Sequence, residues 1–131
     1  MCYIYQVKTW LYVVIGGAIG TGLRFGINLL LKPDVNSSFP LNTLVINITG
    51  CLLIGLAFAY LKKVTPSEQL LIAFFTTGVL GGFTTFSAYA IETAQLFEAR
   101  KGGTAVIYML LTNVFGLMAA WLGYNLHKVW S

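Results

Sequence analysis

Long apolar stretches alternate with short polar ones along the chain. Four apolar runs are present, at Trp10–Leu31, Leu41–Leu61, Leu70–Phe97 and Ala105–Leu126. Each contains the roughly 20 residues that an α-helix needs to cross about 30 Å of hydrocarbon. The polar connections are too short to form a domain of their own. The pattern therefore predicts an all-α membrane protein in which residues 1–131 form a single domain of four transmembrane helices.

The third run is interrupted where it should lie deep in the membrane. Gly-Val-Leu-Gly-Gly-Phe-Thr-Thr-Phe-Ser at 78–87 contains glycines, threonines and a serine in place of a continuous apolar segment. A broken helix persists in a bilayer only where it is buried in protein or lines a cavity, because an unsatisfied backbone group costs several kcal/mol there. Such breaks frame ion and substrate sites in transporters. We predict a third helix that is broken at Gly78–Ser87, serves transport, and ends at Gly102-Gly103.

Composition agrees with a membrane protein. Hydrophobic residues make up 57% of the chain and charged residues 9%, with a mean hydropathy of +0.79, whereas soluble domains carry about 25% charged residues. The net charge of +4 resides near helix ends, which indicates contact with lipid headgroups and no nucleic-acid partner. The first run is long and lacks a small-residue cleavage site, so we expect a membrane span there and not a signal peptide. Cys2 and Cys51 do not form a disulfide framework.

The basic residues are divided evenly between the two sides of the predicted helices. The side of both termini carries Lys8, Lys62, Lys63 and Lys128, and the other side carries Arg24, Lys32, Arg100 and Lys101. An excess of Lys and Arg normally fixes the orientation of a membrane protein, and here there is none. Two interpretations stay open: one or two particular charges decide a single orientation, or the chain inserts both ways and forms an antiparallel dimer.

Small residues recur at helical spacing on the first and fourth helices. They are Gly16, Gly20, Gly22 and Gly26 on the first, and Gly116, Ala119, Ala120 and Gly123 on the fourth. Spacing of this kind lets helices approach closely. It fits the association of two copies and fits packing within one copy equally well.

Nothing in the chain indicates an enzyme. The only histidine, His127, lies at a helix end, and no Ser/His/Asp or Cys/His set is present. A phosphate-binding loop needs a lysine beside its glycines, and 78–87 contains none.

Polar and aromatic residues inside the spans are the candidates for function. Asn47 in the second helix either donates to a passing anion or bonds a neighbouring helix. Phe83, Phe86 and Tyr89 follow at i, i+3 and i+6 and are predicted to share one helix face beyond the break. That face either packs in the core or directs its positive ring edges toward an anion. Ring edges bind an anion weakly enough for it to be released again.

The remaining candidates lie around the same region. On the fourth helix, Tyr108, Thr112 and Gly116 form a stripe with two hydroxyls, although Thr112 has the alternative of bonding its own helix. Glu92 is interpreted as a vestibule charge or as a partner of Arg24, which is close enough to the end of its helix to snorkel.

The break also frees backbone groups. The carbonyls of Gly81 and Thr84 are predicted to suit a hard cation such as Na⁺, while Thr84, Thr85 and Ser87 are candidates to cap the second half-helix.

Together these residues resemble the Fluc/CrcB family of bacterial fluoride channels. The resemblance is carried by Gly-Gly-Phe-Thr-Thr-Phe-Ser at 81–87 with Glu92 downstream, Leu-Val-Ile-Asn-Ile-Thr-Gly at 44–50, Gly-Leu-Arg-Phe at 22–25 and Thr-Asn-Val-Phe-Gly at 112–116. It extends over the whole chain in length, number of spans and order of motifs. The segment at 81–87 is far more specific than a lone glycine motif.

The resemblance implies a multi-pass protein of the bacterial inner membrane that assembles with itself as an antiparallel, dual-topology homodimer. It implies two fluoride pores for passive export from the cytoplasm, lined by Asn47, Phe86 and Ser87, with Tyr108 and Thr112 in a polar track. It also implies a structural Na⁺ at the dimer centre, held by carbonyls of Gly81 and Thr84 from both subunits.

Two positions depart from the family pattern. Tyr89 stands where a second phenylalanine is usual, and Gly116 stands where a serine is common. The first adds a hydroxyl to the ring, and the second shortens the polar track. Two rival functions are a small dual-topology multidrug/proton antiporter, which needs a carboxylate in the first helix that Trp10–Leu31 lacks, and a non-transporting assembly protein, which does not require a broken helix beside Asn47.

Overall fold

The computed structural model describes residues 2–31, 39–61 and 68–130, with side chains for 5–31, 39–60 and 68–126. Lys32, Lys62 and Lys63 lie outside the described residues, as do the side chains of His127 and Lys128.

All regular secondary structure in the described part of the chain is helical. Its α-helices are α1 (Cys2–Leu30), α2 (Leu41–Leu61), α3 (Gln69–Ile72), α4 (Gly81–Phe83), α5 (Phe86–Glu98) and α6 (Gly102–Trp130), and a π-helical segment, Ala73–Leu80, joins α3 to α4. Four helical stretches are long and apolar enough to cross a membrane: Tyr5–Leu30, Leu41–Tyr60, Gln69–Glu98 and Gly102–Leu126. The prediction of an all-α chain with four such helices is therefore confirmed.

The interruption of the third span is narrower than the sequence indicates. Gly81, Gly82 and Phe83 are still helical, and only Thr84 and Thr85 are extended, with ψ of 158° and 112°. The helix widens before it stops, because the amide of Gly81 donates to the carbonyl of Thr76, five residues earlier. Single π-helical segments of this kind occur frequently at functional sites.

The third span ends earlier than predicted, so the assignment of its end to Gly102-Gly103 is wrong. Helix α5 stops at Glu98, and the amides of Arg100 and Lys101 turn back to the carbonyls of Phe97 and Leu96 at 3.0 and 2.9 Å. Arg100 takes the left-handed conformation, with φ of 58°, that usually belongs to glycine at this position. The two glycines instead begin α6.

Helix packing pairs α1 with the first half of the third span, and α2 with α6. A Cβ on Gly20 would overlap the carbonyl oxygen of Val79, and one on Gly123 would overlap that of Leu52. These glycines therefore serve close packing within the chain, as Gly16 does. Gly22 and Gly26 on α1 face open space within the single chain.

A cluster of buried residues lies where α2, α5 and α6 meet. It contains Leu44, Tyr89, Leu96, Ala105 and Tyr108. The second half-helix is thus held against α6, and the break is positioned beside α2.

Candidate functional site

Asn47 clamps the break in the third span. Its Nδ2 donates to the carbonyl oxygen of Thr85 at 3.0 Å, and its Oδ1 accepts from the amide of Thr85 at 2.8 Å. One side chain on α2 thereby replaces both helical partners of a residue that is only 8% exposed, which relieves the cost of unpaired backbone in a membrane. An amide nitrogen has two N–H bonds, so the second N–H of Asn47 is left for another acceptor.

Thr85 also starts the second half-helix. Its Oγ1 accepts from the amide of Ala88 at 3.2 Å and lies 3.2 Å from the Oγ of Ser87. The expectation that a hydroxyl caps α5 is confirmed for Thr85. The hydroxyl of Thr84 instead donates back to the carbonyl of Leu80 at 3.0 Å.

The clamp and the cap release two carbonyls from the helical ladder. In a continuous α-helix the carbonyls of Gly81 and Thr84 would accept from the amides of Thr85 and Ala88. Those amides are directed to Asn47 and to the hydroxyl of Thr85 instead. Gly81 and Thr84 both line the same open groove. Within residues 2–31, 39–61 and 68–130 no three His, Cys, Asp or Glu side chains form a metal-binding group.

The groove is bounded by α2, the third span and α6, and holds about 390 Å³. Its wall is mainly apolar, with polar groups from each of the three spans. Its lining includes Asn47, Phe86, Tyr89, Thr112, Asn113 and Gly116.

The predicted aromatic face is divided by the break. Phe86 and Tyr89 lie on α5 with ring centroids 5.5 Å apart. Phe86 is 78% exposed in the single chain and Tyr89 only 8%. The expectation that Phe83 shares this face is wrong, because two extended residues separate it from α5. Phe83 is buried in α4 and is absent from the groove wall.

Glu92 is held between α2 and α6. Its Oε1 accepts from Thr43 and its Oε2 from Tyr108, each at 2.7 Å. In the described part of the chain it makes no ion pair with the half-buried Arg24, so the alternative in which these two residues pair is not found in the single chain. Tyr108 is fully buried behind the ring of Tyr89, with centroids 5.3 Å apart, and does not line the groove.

The predicted stripe on α6 is therefore split between the core and the groove. Thr112 and Gly116 line the groove, whereas Tyr108 does not. The hydroxyl of Thr112 is buried without a partner, and it does not bond its own helix. Ser87 is exposed and lies outside the groove wall, bonded to Thr85.

Sequence reasoning missed two residues that shape the site and one role of a third. Thr43 binds Glu92, and Asn113 donates to the hydroxyl of Tyr89 at 3.0 Å. Thr85, predicted only as a cap, also receives the clamp from Asn47. Asn113 carried the same signal as Asn47, an amide inside a span. Thr43 lies one helical turn before Asn47, on the same face of α2.

Comparison with known proteins identifies the family of the chain. The family described as "CrcB-like protein, Camphor Resistance (CrcB)" matches residues 11–124. The chain belongs to this CrcB family. A protein of Flavobacterium psychrophilum named "Fluoride-specific ion channel FluC" is 42% identical over 122 residues, covering 93% of this chain and 98% of its own length. One of Paracoccus denitrificans with the same name is 44% identical over 120 residues, covering 92% and 94%. Membership of the CrcB family confirms the resemblance noted above and favours a channel over an enzyme.

Proposed function

We propose that the chain is a fluoride channel of the bacterial inner membrane and that the groove beside the break is its ion pathway. The groove combines neutral donors with aromatic ring edges. The second N–H of Asn47 and the hydroxyl of Thr112 provide hydrogen bonds, and Phe86 and Tyr89 provide rings. Among residues 2–31, 39–61 and 68–130, no lysine or arginine lines it. Conduction requires binding that is weak enough for release, and neutral donors meet that requirement. The relatives' name supports fluoride as the ion.

The observation that carries the proposal is the clamp between Asn47 and Thr85. It fixes the break next to an open groove and leaves one amide N–H uncommitted. Within this proposal Phe86 lies along the path and Tyr108 supports it from behind Tyr89. Ser87, Arg24 and Glu92 lie beside the path and do not line it. Phe83 is left out of the pathway because it is buried elsewhere.

An antiparallel homodimer of dual topology is part of the proposal. The groove is open, and Phe86 on its wall is 78% exposed, so a single chain encloses its ion path poorly. A second copy would complete the enclosure and give two pores. The equal division of basic residues between the two sides supports opposite orientations of the two copies.

A structural Na⁺ between the subunits completes the proposal. The carbonyls of Gly81 and Thr84 fit a hard cation because their helical amide partners bind elsewhere. When bound, the ion would supply a positive charge between the broken third spans of the two subunits. We expect the dimer to unfold at a lower temperature when Na⁺ is exchanged for a large organic cation and to recover when Na⁺ returns. An unfolding temperature that does not change when Na⁺ is exchanged would contradict the proposed Na⁺ site.

Ion flux from liposomes tests the central proposal. Purified protein is reconstituted into vesicles loaded with fluoride or, as control, with chloride, and an ion electrode follows release down the gradient. We expect rapid fluoride release, little chloride release, and no requirement for a proton gradient. Equal release of both ions, or no fluoride release, would contradict the proposal. Release that requires a proton gradient would instead favour the antiporter.

A further inference from the structure

Tyr89 and Asn113 form a polar bridge from α5 to α6 at the groove wall. The Nδ2 of Asn113 lies 3.0 Å from the hydroxyl oxygen of Tyr89 and 2.8 Å from the carbonyl oxygen of Met109. The carbonyl is an acceptor only, so it fixes which end of the amide carries the nitrogen. Both N–H bonds of Asn113 are therefore used, one toward Met109 and one toward Tyr89.

This geometry decides the role of the Tyr89 hydroxyl. Because Asn113 donates, the hydroxyl accepts, and its own proton is not used in that bond. Among the described residues no acceptor for this proton is recorded. Tyr89 is 8% exposed, and a buried polar group without a partner is unfavourable unless something arrives to satisfy it.

A second unused hydroxyl lines the same groove. Thr112 precedes Asn113 on α6, and its Oγ1 is buried without a partner. The protons of the two hydroxyls are unused among the described residues, so each has one O–H left for an acceptor that approaches from the groove side. Hydrogen bonds to a charged acceptor are stronger than neutral ones.

We propose that Tyr89 and Thr112 form a hydroxyl pair that donates to the anion in the groove, and that Asn113 is a positioning residue that turns the Tyr89 proton away from itself. The inference rests on the proposed function and adds an anion-binding element to it. A small anion of high charge density gains most from two short O–H donors. Tyr89 then contributes a hydrogen bond in addition to a ring edge.

The test measures how fluoride flux from liposomes saturates with fluoride concentration. Tyr89→Phe keeps the ring contacts with Phe86 and Tyr108 and removes only the hydroxyl, and Thr112→Val does the same for the other donor. We expect the half-saturating fluoride concentration to rise about tenfold in each variant, as for the loss of one hydrogen bond to a charged group. Tyr12→Phe, an equivalent change on α1 beside Phe74, is the matched control and should leave it unchanged.

A double-mutant cycle separates positioning from general packing. Asn113→Leu alone should raise the half-saturating concentration less than Tyr89→Phe does. In the Tyr89→Phe background it should add nothing, because the proton it orients is gone. Equal effects in both backgrounds contradict the positioning role.

Two further outcomes overturn the proposal. The first is a half-saturating fluoride concentration in Tyr89→Phe that lies within twofold of the wild-type value. The second is a lower maximal flux and a lower unfolding temperature with no change in the half-saturating concentration, which would indicate that the hydroxyl contributes to packing alone. If a variant is unstable in vesicles, fluoride binding to the folded protein in detergent, followed by ¹⁹F NMR, gives the same comparison. Failure of the wild-type protein to pass fluoride would instead overturn the proposed function.

Discussion

Asn47 has two tasks that a substitution is able to separate. It holds the backbone of Thr85 with both ends of its amide, and it keeps one N–H for the groove. A carboxylate of the same shape still accepts from the Thr85 amide, but it places an oxygen against the Thr85 carbonyl and a negative charge beside the anion path.

We therefore expect Asn47→Asp to slow fluoride flux at least about tenfold. A unit charge about 4 Å from the anion opposes it by about 4 kcal/mol at an effective dielectric constant of about 20, and about 1.4 kcal/mol is enough for a factor of ten. Flux from liposomes measures the effect. Asn125→Asp, which alters an amide that bonds only its own helix, is the matched control. Undiminished flux in Asn47→Asp would remove Asn47 from the ion path.

The role of a residue could be predicted from the sequence where its partners lie close to it along the chain. The capping role of Thr85 and the importance of Asn47 follow from residue type and position, and both were accessible from sequence. The place of Phe83 was not, because the i, i+3, i+6 pattern assumes an uninterrupted helix, and Thr84 and Thr85 interrupt it. The partners of Glu92 come from two other helices, which no local pattern reveals.

At the scale of elements, the close crossing of α1 and the third span depends on glycine. A Cβ on Gly20 would overlap the backbone of Val79 and crowd the amide of Phe83. Backbone atoms cannot rotate away as a side chain does, so the two helices would have to separate. Gly22 on the same helix has nothing within 4 Å of its Cβ position.

Gly20→Ala should accordingly destabilise the protein by about 1–3 kcal/mol, the range for overpacking. Gly22→Ala should not destabilise it and should gain up to about 1 kcal/mol of helix propensity. Thermal unfolding in detergent compares the two. Identical midpoints for both variants would mean that α1 does not approach the third span as closely as described.

The end of α5 carries a residue in an unfavourable backbone conformation. Arg100 adopts φ of 58°, which costs a residue other than glycine about 1–2 kcal/mol. After allowing for the greater freedom of glycine in the unfolded chain, Arg100→Gly should stabilise the protein by about 1 kcal/mol. Arg100→Ala removes the same charge without relieving the backbone and should not stabilise it. Equal unfolding midpoints for the two variants would show that charge, not conformation, matters here.

Element boundaries were predictable only in part, for a physical reason. The four spans follow from apolar length, which a bilayer dictates. The end of α5 does not follow from the glycines, because the carbonyls at the helix end are satisfied by the amides of Arg100 and Lys101. The π-helical turn before the break also has no pattern of its own in the sequence.

At the scale of the molecule, the open groove and the equal distribution of charge are the two observations that support the proposed dimer. A single copy leaves Phe86 exposed, and four basic residues on each side leave the orientation undetermined. If the proposed dimer contains one copy in each orientation, a chain forced into one orientation loses its partner. Orientation and activity are then coupled through assembly.

Biasing the charge count should therefore abolish fluoride flux, and combining opposite biases should restore it. Arg100→Gln with Lys101→Gln leaves the excess of positive charge on the side of the termini, and Lys62→Gln with Lys63→Gln leaves it on the other side. We expect each double variant alone to insert predominantly one way and to pass little fluoride, while the two expressed together recover most of the wild-type flux. Lys62→Arg with Lys63→Arg keeps the count and should remain active alone. Full activity of either biased variant by itself, with one orientation established by labelling of its termini, would contradict an antiparallel dimer.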